Sequence, residues 1–551
     1  MDEAVAGGTP AAGWPVDNVS FSLAVVARDQ AAAGVPLWEY HHLAANNVRG
    51  THQLGRDSQY LVGSVSKVVS DYILLKSPVD LDAPVTAYLP ELADASPPPE
   101  RLRWHDVTLR MLATQLSGAP TNYGFSEYYS LKNAFLSYGF PPIRDSAYPP
   151  CGVGALNGPC SQQAFLRGMV NSYPVAAPME RAAYSNVAFT LLITAVERVT
   201  GKNYTQLVDD VVARPLRLRS TMPSPGDDWR AVIPPGDSSW GADFGLNTPG
   251  GGLVSSLADL SSIAHAVLAR SIDLTPTQVR QWLKPQAYTG GSSAVGMPWE
   301  MFRAPSLTPG HPHPVTVHGK GGAAQAYRCQ FSLVDEYGLG LIVLAAGPAN
   351  VAISLLADAL LATFVPAADK ASRIQAGEQY ARTFETDCGA VELEATFALD
   401  RDSLRIASMH RNGSDILGAL AKIWFQTMGQ FTAEELSATV RLFPADLDEE
   451  TTLHGRPVTR EVWRLWLQPG PASQRVKSPL PSSGTLADNC FAWTLADWVH
   501  YGSEPLDRVL FYKDGRGHVV GFEAPFLRSG VLPPATDSPC GVADSRPCVK
   551  A

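Results

Sequence analysis

A mixed α/β (α+β) fold followed by a second, β-rich domain is what this sequence predicts, on three observations. Its 551 residues exceed one ordinary domain. Up to about residue 365, segments with helical apolar spacing alternate with strand-like runs. Beyond the charged segment Ala368 to Gln379 the pattern changes to short alternating runs separated by Gly, Asp and Pro turns. The expected organisation is an N-terminal extension over 1–20, a first domain over 21–367, and an all-β domain over 376–551.

In chain order, Phe21 to Ala27 and Leu37 to Leu43 read as two strands forming an edge hairpin on a sheet. Next, Tyr60-Leu61-Val62 anchors a helix that starts near Ser64. Apolar spacing over Val107 to Leu116 and Val187 to Val199 predicts two more helices. Phe331 to Leu344 is strand-like around a turn at Glu336-Tyr337-Gly338. The longest apolar stretch, Leu339 to Val365, is interrupted by Gly347-Pro348, Asn350 and Asp358, so it reads as a buried strand, a turn and an amphipathic helix, not one membrane span. Val391 to Leu399, Val462 to Leu467 and Arg508 to Tyr512 supply strands of the second domain.

With 43 basic against 53 acidic side chains and a net charge of −10, no basic field exists to hold nucleic acid or an anionic membrane. The seven cysteines suggest an oxidising compartment: Cys151/Cys160 and Cys540/Cys548 are close pairs flanking turn-rich loops, Cys388 and Cys490 remain as a candidate long-range pair, and Cys329 is left over. Acceptor patterns at Asn18, Asn203 and Asn412 agree with glycosylation and secretion. The Met1-Asp2-Glu3-Ala4 start lacks the charged and apolar regions of a signal peptide, which predicts that a leader has been removed. With neither Cys-x-x-Cys nor His-Glu-x-x-His present, no metal or other cofactor is expected. Nothing in the sequence sets an oligomeric state.

The chemistry concentrates in three short motifs. Ser64-Val65-Ser66-Lys67 is the only Ser-x-x-Lys here, and at the start of a helix it puts a hydroxyl and an amine on one face. A partly desolvated lysine can deprotonate the serine, and the free N–H groups of a helix N-terminus favour a developing oxyanion. Alone, the pattern equally describes a helix N-cap followed by a solvated lysine. Tyr184-Ser185-Asn186 offers a proton carrier and an amide that both donates and accepts; alone, it describes a helix-entry tyrosine with a capping asparagine. His318-Gly319-Lys320-Gly321-Gly322-Ala323 places a cation among small residues on a strand, where an N–H near Ala323 can complete an oxyanion hole. The absence of Gly-x-Ser-x-Gly argues against an α/β-hydrolase elbow.

In this order the motifs resemble those of the serine β-lactamase and penicillin-binding-protein superfamily, nearest its class C, esterase and D-aminopeptidase branch, over roughly residues 20 to 365. Flanking landmarks agree, among them Leu81-Asp82-Ala83-Pro84-Val85, Ser117-Gly118-Ala119-Pro120 and Gly250-Gly251-Gly252-Leu253. The β-rich tail and paired cysteines look like secreted fungal members. The resemblance implies an antiparallel sheet flanked by helices, with a helical subdomain. It also implies Ser64 as acylated nucleophile, Lys67 as base, Tyr184 as proton shuttle, Asn186 as anchor for substrate and lysine, and Lys320 as electrostatic aid, with Gly322 and Ala323 at the oxyanion. Two departures stand out. Gly321 replaces the hydroxyl residue expected to contact a substrate carboxylate, so that His318 becomes an alternative to Lys320 in a shifted register. Gln115-Leu116-Ser117-Gly118 replaces His-Thr-Ser-Gly.

Seven of the eighteen residues from Tyr123 to Phe140 are aromatic. They either line a site for an apolar group or pack the helical subdomain. The expected function is a serine hydrolase or acyltransferase acting on a small hydrophobic ester, lactone or thioester, such as a secondary metabolite. The alternatives are a D-amino-acid peptidase, amidase or β-lactamase, and a non-catalytic ligand-binding sensor.

Overall fold

The computed structural model describes residues 1–93, 100–386, 391–428, 439–468 and 496–535. It divides into two compact units, Met1–Ala368 and Asp369–Ala551.

In the first unit the strands are β1 Ser20–Ala27, β2 Trp38–His42, β3 Ala287–Tyr288, β4 Ser293–Val295, β5 Glu300–Ala304, β6 Val315–Ala324, β7 Tyr327–Val334 and β8 Leu339–Ala346. They form one antiparallel sheet in the order β2-β1-β8-β7-β6-β5-β4-β3. The expected edge hairpin is β1 and β2, with Leu23 opposite Tyr40. Side-chain alternation gives the central strands two apolar faces. Phe21, Leu23, Val25, Leu341 and Val343 share a core with Trp14, Ala352, Leu356 and Leu360. Ala24, Val26, Ile342 and Leu344 face the larger core that holds α1 Ser66–Lys76, α2 Val187–Thr200 and α3 Leu257–Leu268. A small sheet, in which Leu253–Ser256 lies between Gln59–Leu61 and Met222–Pro223, delivers the chain to α1.

The apolar stretch from Leu339 resolves into β8, a turn and α4 Asn350–Tyr380. Gly347 permits the turn, because its φ is +117° and an added Cβ would stand 2.2 Å from the Asn18 carbonyl oxygen. α4 is long and apolar enough to cross a membrane by length and composition, yet Ala352, Leu356, Leu360 and Val365 pack in a core. The charged segment Ala368 to Gln379 belongs to this same helix, which runs on past Pro366. Its Ala, Lys, Arg, Gln and Glu residues are good helix formers, so the fall in hydropathy marks exposure and not an end. Val107 to Leu116 yields only the short helix Leu109–Ala113, capped by the Thr108 hydroxyl, because Gln115 turns into the left-handed region at φ 64°.

The second unit is an antiparallel sheet in the order β9 Thr383–Glu385, β10 Leu393–Leu399, β11 Leu404–Arg411, β12 Thr439–Leu453, β13 Arg456–Gln468, β14 Arg508–Lys513 and β15 Val519–Glu523, with Ser414–Asp415 paired to β11. Phe384, Phe397, Phe511 and Phe522 centre its core. The sheet carries one helix that the alternation did not reveal, α5 Ile416–Met428, whose Leu420, Ala421 and Trp424 join that core.

Cys151 and Cys160 form a disulfide, and Cys329 is a buried free thiol whose pKa burial raises. Cys388, Cys490, Cys540 and Cys548 lie outside the described residues. Asn18, Asn203 and Asn412 are exposed, and their Oδ1 atoms accept from Asn46 Nδ2, Gln206 N and Glu392 N respectively.

Candidate active site

Ser64 sits in a 3₁₀ turn, Gly63–Val65, that runs directly into α1. Two glycines bring this turn against β6. A Cβ on Gly63, whose φ is +52°, would stand 2.5 Å from Ala323 N, and one on Gly322 would stand 2.1 Å from the Val62 carbonyl oxygen. The amide nitrogens of Ser64 and Ala323 therefore belong to two backbones in close approach.

Lys67 is fully buried, unlike the solvated lysine of a simple capped helix. Its Nζ lies 3.0 Å from Ser64 Oγ, 2.7 Å from Asn186 Oδ1 and 2.5 Å from the Gly250 carbonyl oxygen. Asn186 Nδ2 donates to Asn122 Oδ1, which orients Oδ1 toward the lysine as an acceptor. Two of the three directions around Nζ thus end on acceptors that have no proton to give. A neutral amine matches this set by donating twice and turning its lone pair to the Ser64 hydroxyl. Burial, aided by the Lys320 cation, holds the Lys67 amine well below its ordinary 10.5, against the opposing pull of Glu300 and Asp71.

One turn further along α1, the Asp71 carboxyl is buried and neither oxygen has a hydrogen-bond partner among the described residues. Burial pushes its pKa well above the usual carboxylate range, with Lys67 opposing. Both groups are thereby driven toward their uncharged forms.

Tyr184 donates its hydroxyl to Ser64 Oγ at 2.7 Å, and Nζ of Lys67 and of Lys320 lie 4.9 and 5.2 Å from its ring centroid. Gln115 clasps the residue between Tyr184 and Asn186: its Oε1 accepts from Ser185 N at 2.6 Å and its Nε2 donates to the Ser185 carbonyl at 3.3 Å. Asn186 makes no side-chain capping bond to α2, whereas Ser185 Oγ accepts from Ala188 N. Its amide is therefore available to the lysine.

At the third motif, Lys320 Nζ donates to Glu300 Oε1 at 2.5 Å and to the Gly321 carbonyl at 2.8 Å. Glu300 Oε2 accepts from Gly321 N. The shifted register with His318 as the cation is not what the structure forms. His318 is buried, its Nε2 pairs with the Leu283 carbonyl at 2.9 Å, its ring meets Trp299 edge-on, and burial lowers its pKa. It makes no contact with Ser64.

Sequence reasoning missed Glu300, Asn122 and Asp71. Only Asp71 had a local signal, its i+4 spacing from Lys67. Of the seven clustered aromatic residues, Tyr123 packs against Phe165, whereas Phe125, Tyr128, Phe135, Tyr138 and Phe140 are exposed.

Together, this fold and this arrangement of serine, lysine and tyrosine define a serine hydrolase of the β-lactamase-like superfamily. Residues 19–362 match the family described as Beta-lactamase, and residues 372–533 match the family described as Beta-lactamase-like-like, C-terminal domain. A "Beta-lactamase-like protein" of Arthroderma benhamiae is 40% identical over 547 residues, covering 97% of this chain and 90% of that protein. A protein of Phoma sp. named as a probable hydrolase is 27% identical over 517 residues, covering 91% and 82%. Among solved structures, a class C beta lactamase from Rhodobacter sphaeroides aligns with 19% identity and a TM-score of 0.46, over 66% of this chain and 99% of that one. The chain belongs to the beta-lactamase family.

Two outcomes follow from this geometry. Gly322→Ala forces β6 away from the nucleophile turn and is expected to lower the rate of Ser64 labelling by a fluorophosphonate probe by about 100-fold, measured by intact-protein mass spectrometry. The base form of Lys67 is the unprotonated one. Labelling of the native chain is therefore expected to rise with pH and level off well below 10.5, as followed in a stopped-time pH series.

Proposed function

We propose that the chain is an acyl-transfer hydrolase that forms a covalent ester at Ser64 and acts on esters or lactones with a hydrophobic acyl group. The observation that carries this reading is the three-point contact of Ser64 Oγ, Lys67 Nζ and the Tyr184 hydroxyl, with the lysine buried.

Lys67 takes the Ser64 proton as Oγ bonds to the substrate carbonyl carbon. The N–H groups of Ser64 and Ala323 receive the oxyanion. Tyr184 gives its proton to the departing alkoxide as the carbonyl–oxygen bond breaks, and recovers one from the Lys67 ammonium. Water, or another alcohol in transacylation, then attacks the acyl-enzyme and the protons retrace their path, leaving free serine and acid or a new ester. A binding sensor has no use for a buried amine beside its serine.

The preference for an uncharged ester over a carboxylate-bearing peptide or β-lactam rests on the third motif. Gly321 has no hydroxyl for a substrate carboxylate, and the Lys320 ammonium is already engaged by Glu300. The Cys151–Cys160 disulfide supports an oxidising, secretory location.

The experiment is a paired screen with a fluorophosphonate probe and p-nitrophenyl esters. The native chain is expected to be labelled and to turn esters over. Ser64→Ala is expected to lose the label and at least about 1,000-fold in kcat/KM; an unlabelled native chain refutes the assignment. Glu300→Gln leaves the Lys320 cation without its counter-charge. It is expected to raise kcat/KM for a D-peptide carboxylate about 10-fold relative to a neutral ester, measured by competition.

A further inference from the structure

Beyond Asn122, the segment from Tyr123 to Cys151 takes no part in this chemistry, and it exposes many apolar side chains. Its helical turns, Tyr129–Leu131 and Lys132–Ser137, bury no residue. Phe125 is 66% exposed and Tyr138 78%, and Tyr128, Leu131, Phe135 and Phe140 are exposed beside them. By typical side-chain areas, the exposed apolar groups of this excursion together show several hundred Å² to solvent, and Phe135 and Phe140 meet edge to face at 5.4 Å.

The excursion is closed at its neck and rooted at the site. A Cβ on Gly124 would stand 2.9 Å from the Cys151 carbonyl oxygen, so the two ends meet, and Cys151 is held by its disulfide to Cys160. At the root, Thr121 O and Asn122 Oδ1 accept from the backbone and side-chain nitrogens of Asn186, the residue that binds Lys67. Tyr173, Val175 and Met179, on the strap that leads to Tyr184, are exposed as well, with the Arg101 guanidinium over the Tyr173 ring.

The charges decide the occupant. Between residues 122 and 148 the ionisable side chains of fixed charge are Glu127, Lys132, Arg144 and Asp145, which sum to zero, and Lys132 pairs with Asp145 at 2.6 Å. The chain as a whole carries −10. Such a surface has no attraction for an anionic membrane or a polyelectrolyte, but matches an uncharged assembly of apolar chains.

We propose that the 122–151 excursion docks onto a neutral lipid–water interface and that the enzyme takes its ester from that assembled phase. The claim rests on the ester reading above and deepens it: the substrate class becomes a water-insoluble or micellar ester. Exposed rings insert among acyl chains, and the disulfide-closed neck holds the docked loop beside Asn186 and Ser64.

Hydrolysis of p-nitrophenyl decanoate is measured below and above its critical micelle concentration. In parallel, the Ser64→Ala chain is sedimented with phosphatidylcholine vesicles. The rate per enzyme is expected to jump at least 10-fold at the micellar transition in the native chain, and vesicle-bound protein is expected to exceed half of the total. The triple variant Phe125→Ser/Phe135→Ser/Tyr138→Ser, checked for an unchanged melting temperature, is expected to lose the jump and the sedimentation. No jump where monomeric ester is hydrolysed, or no sedimentation with vesicles, overturns the proposal. So does light scattering that finds a dimer which the triple variant dissociates, because a second copy then covers the face. If no ester is hydrolysed and Ser64 takes no probe, the acyl-transfer reading fails instead, and the vesicle arm alone decides the docking.

Discussion

A lysine amine enclosed by protein, with two carbonyl-type acceptors and one serine hydroxyl around it, is the constraint on which the rest of this site depends. Burying an ammonium without a hydrogen-bonded carboxylate is unfavourable, so the surroundings of Lys67 favour its neutral form. That form has one lone pair, and the Gly250 carbonyl and Asn186 Oδ1 leave it only one direction in which to point. The same face of α1 is tied to the chain that provides Gly250: Ser66 Oγ accepts from Leu253 N, and Ser70 Oγ donates to the Pro249 carbonyl. Asp71 continues that face as a buried carboxyl, its protonated form favoured by the same lack of solvent.

Around this amine, close approach of backbones does what side chains cannot. Gly63 and Gly322 have no Cβ at the two points where the nucleophile turn meets β6, which leaves room for a substrate carbonyl near both amide nitrogens. Gln115 holds the Tyr184-Ser185-Asn186 corner by both backbone groups of its middle residue. Its left-handed conformation shortens the preceding helix to a single short run. Here local helix propensity gives way to the positioning of the Tyr184-Ser185-Asn186 corner.

The charge pairing at the third motif is what the proposed preference for an uncharged substrate rests on. Lys320 Nζ lies 5.2 Å from the Tyr184 ring centroid and donates its hydrogen bonds to Glu300 and the Gly321 carbonyl. A cation so engaged has less to offer a substrate carboxylate. The apolar excursion is rooted at this same site through Asn122 and Asn186.

Much of this was legible in the residues. Periodicity predicted β1, β2, α2, β7 and β8, and three motifs in order marked Ser64, Lys67, Tyr184, Asn186 and Lys320. These are short-range properties, set by side-chain spacing and backbone preference, and a single sequence displays them. The apolar stretch traced helix α4 only as far as Val365, because hydropathy reports burial, whereas helix continuation to Tyr380 depends on backbone preference. Glu300 became visible only when β5 paired with β6 and set it opposite Gly319. His318 and Lys320 are both residues able to carry a positive charge, two positions apart, and only packing against Trp299 and Leu283 assigned one to the core and the other to the site. Whether the rings after Tyr123 were core or surface was likewise undecided by composition, since an aromatic side chain suits either place. The sequence by itself determined which groups were available for chemistry; the tertiary structure decided which of them share a solvent-poor space, because distance and desolvation arise only between segments far apart along the chain.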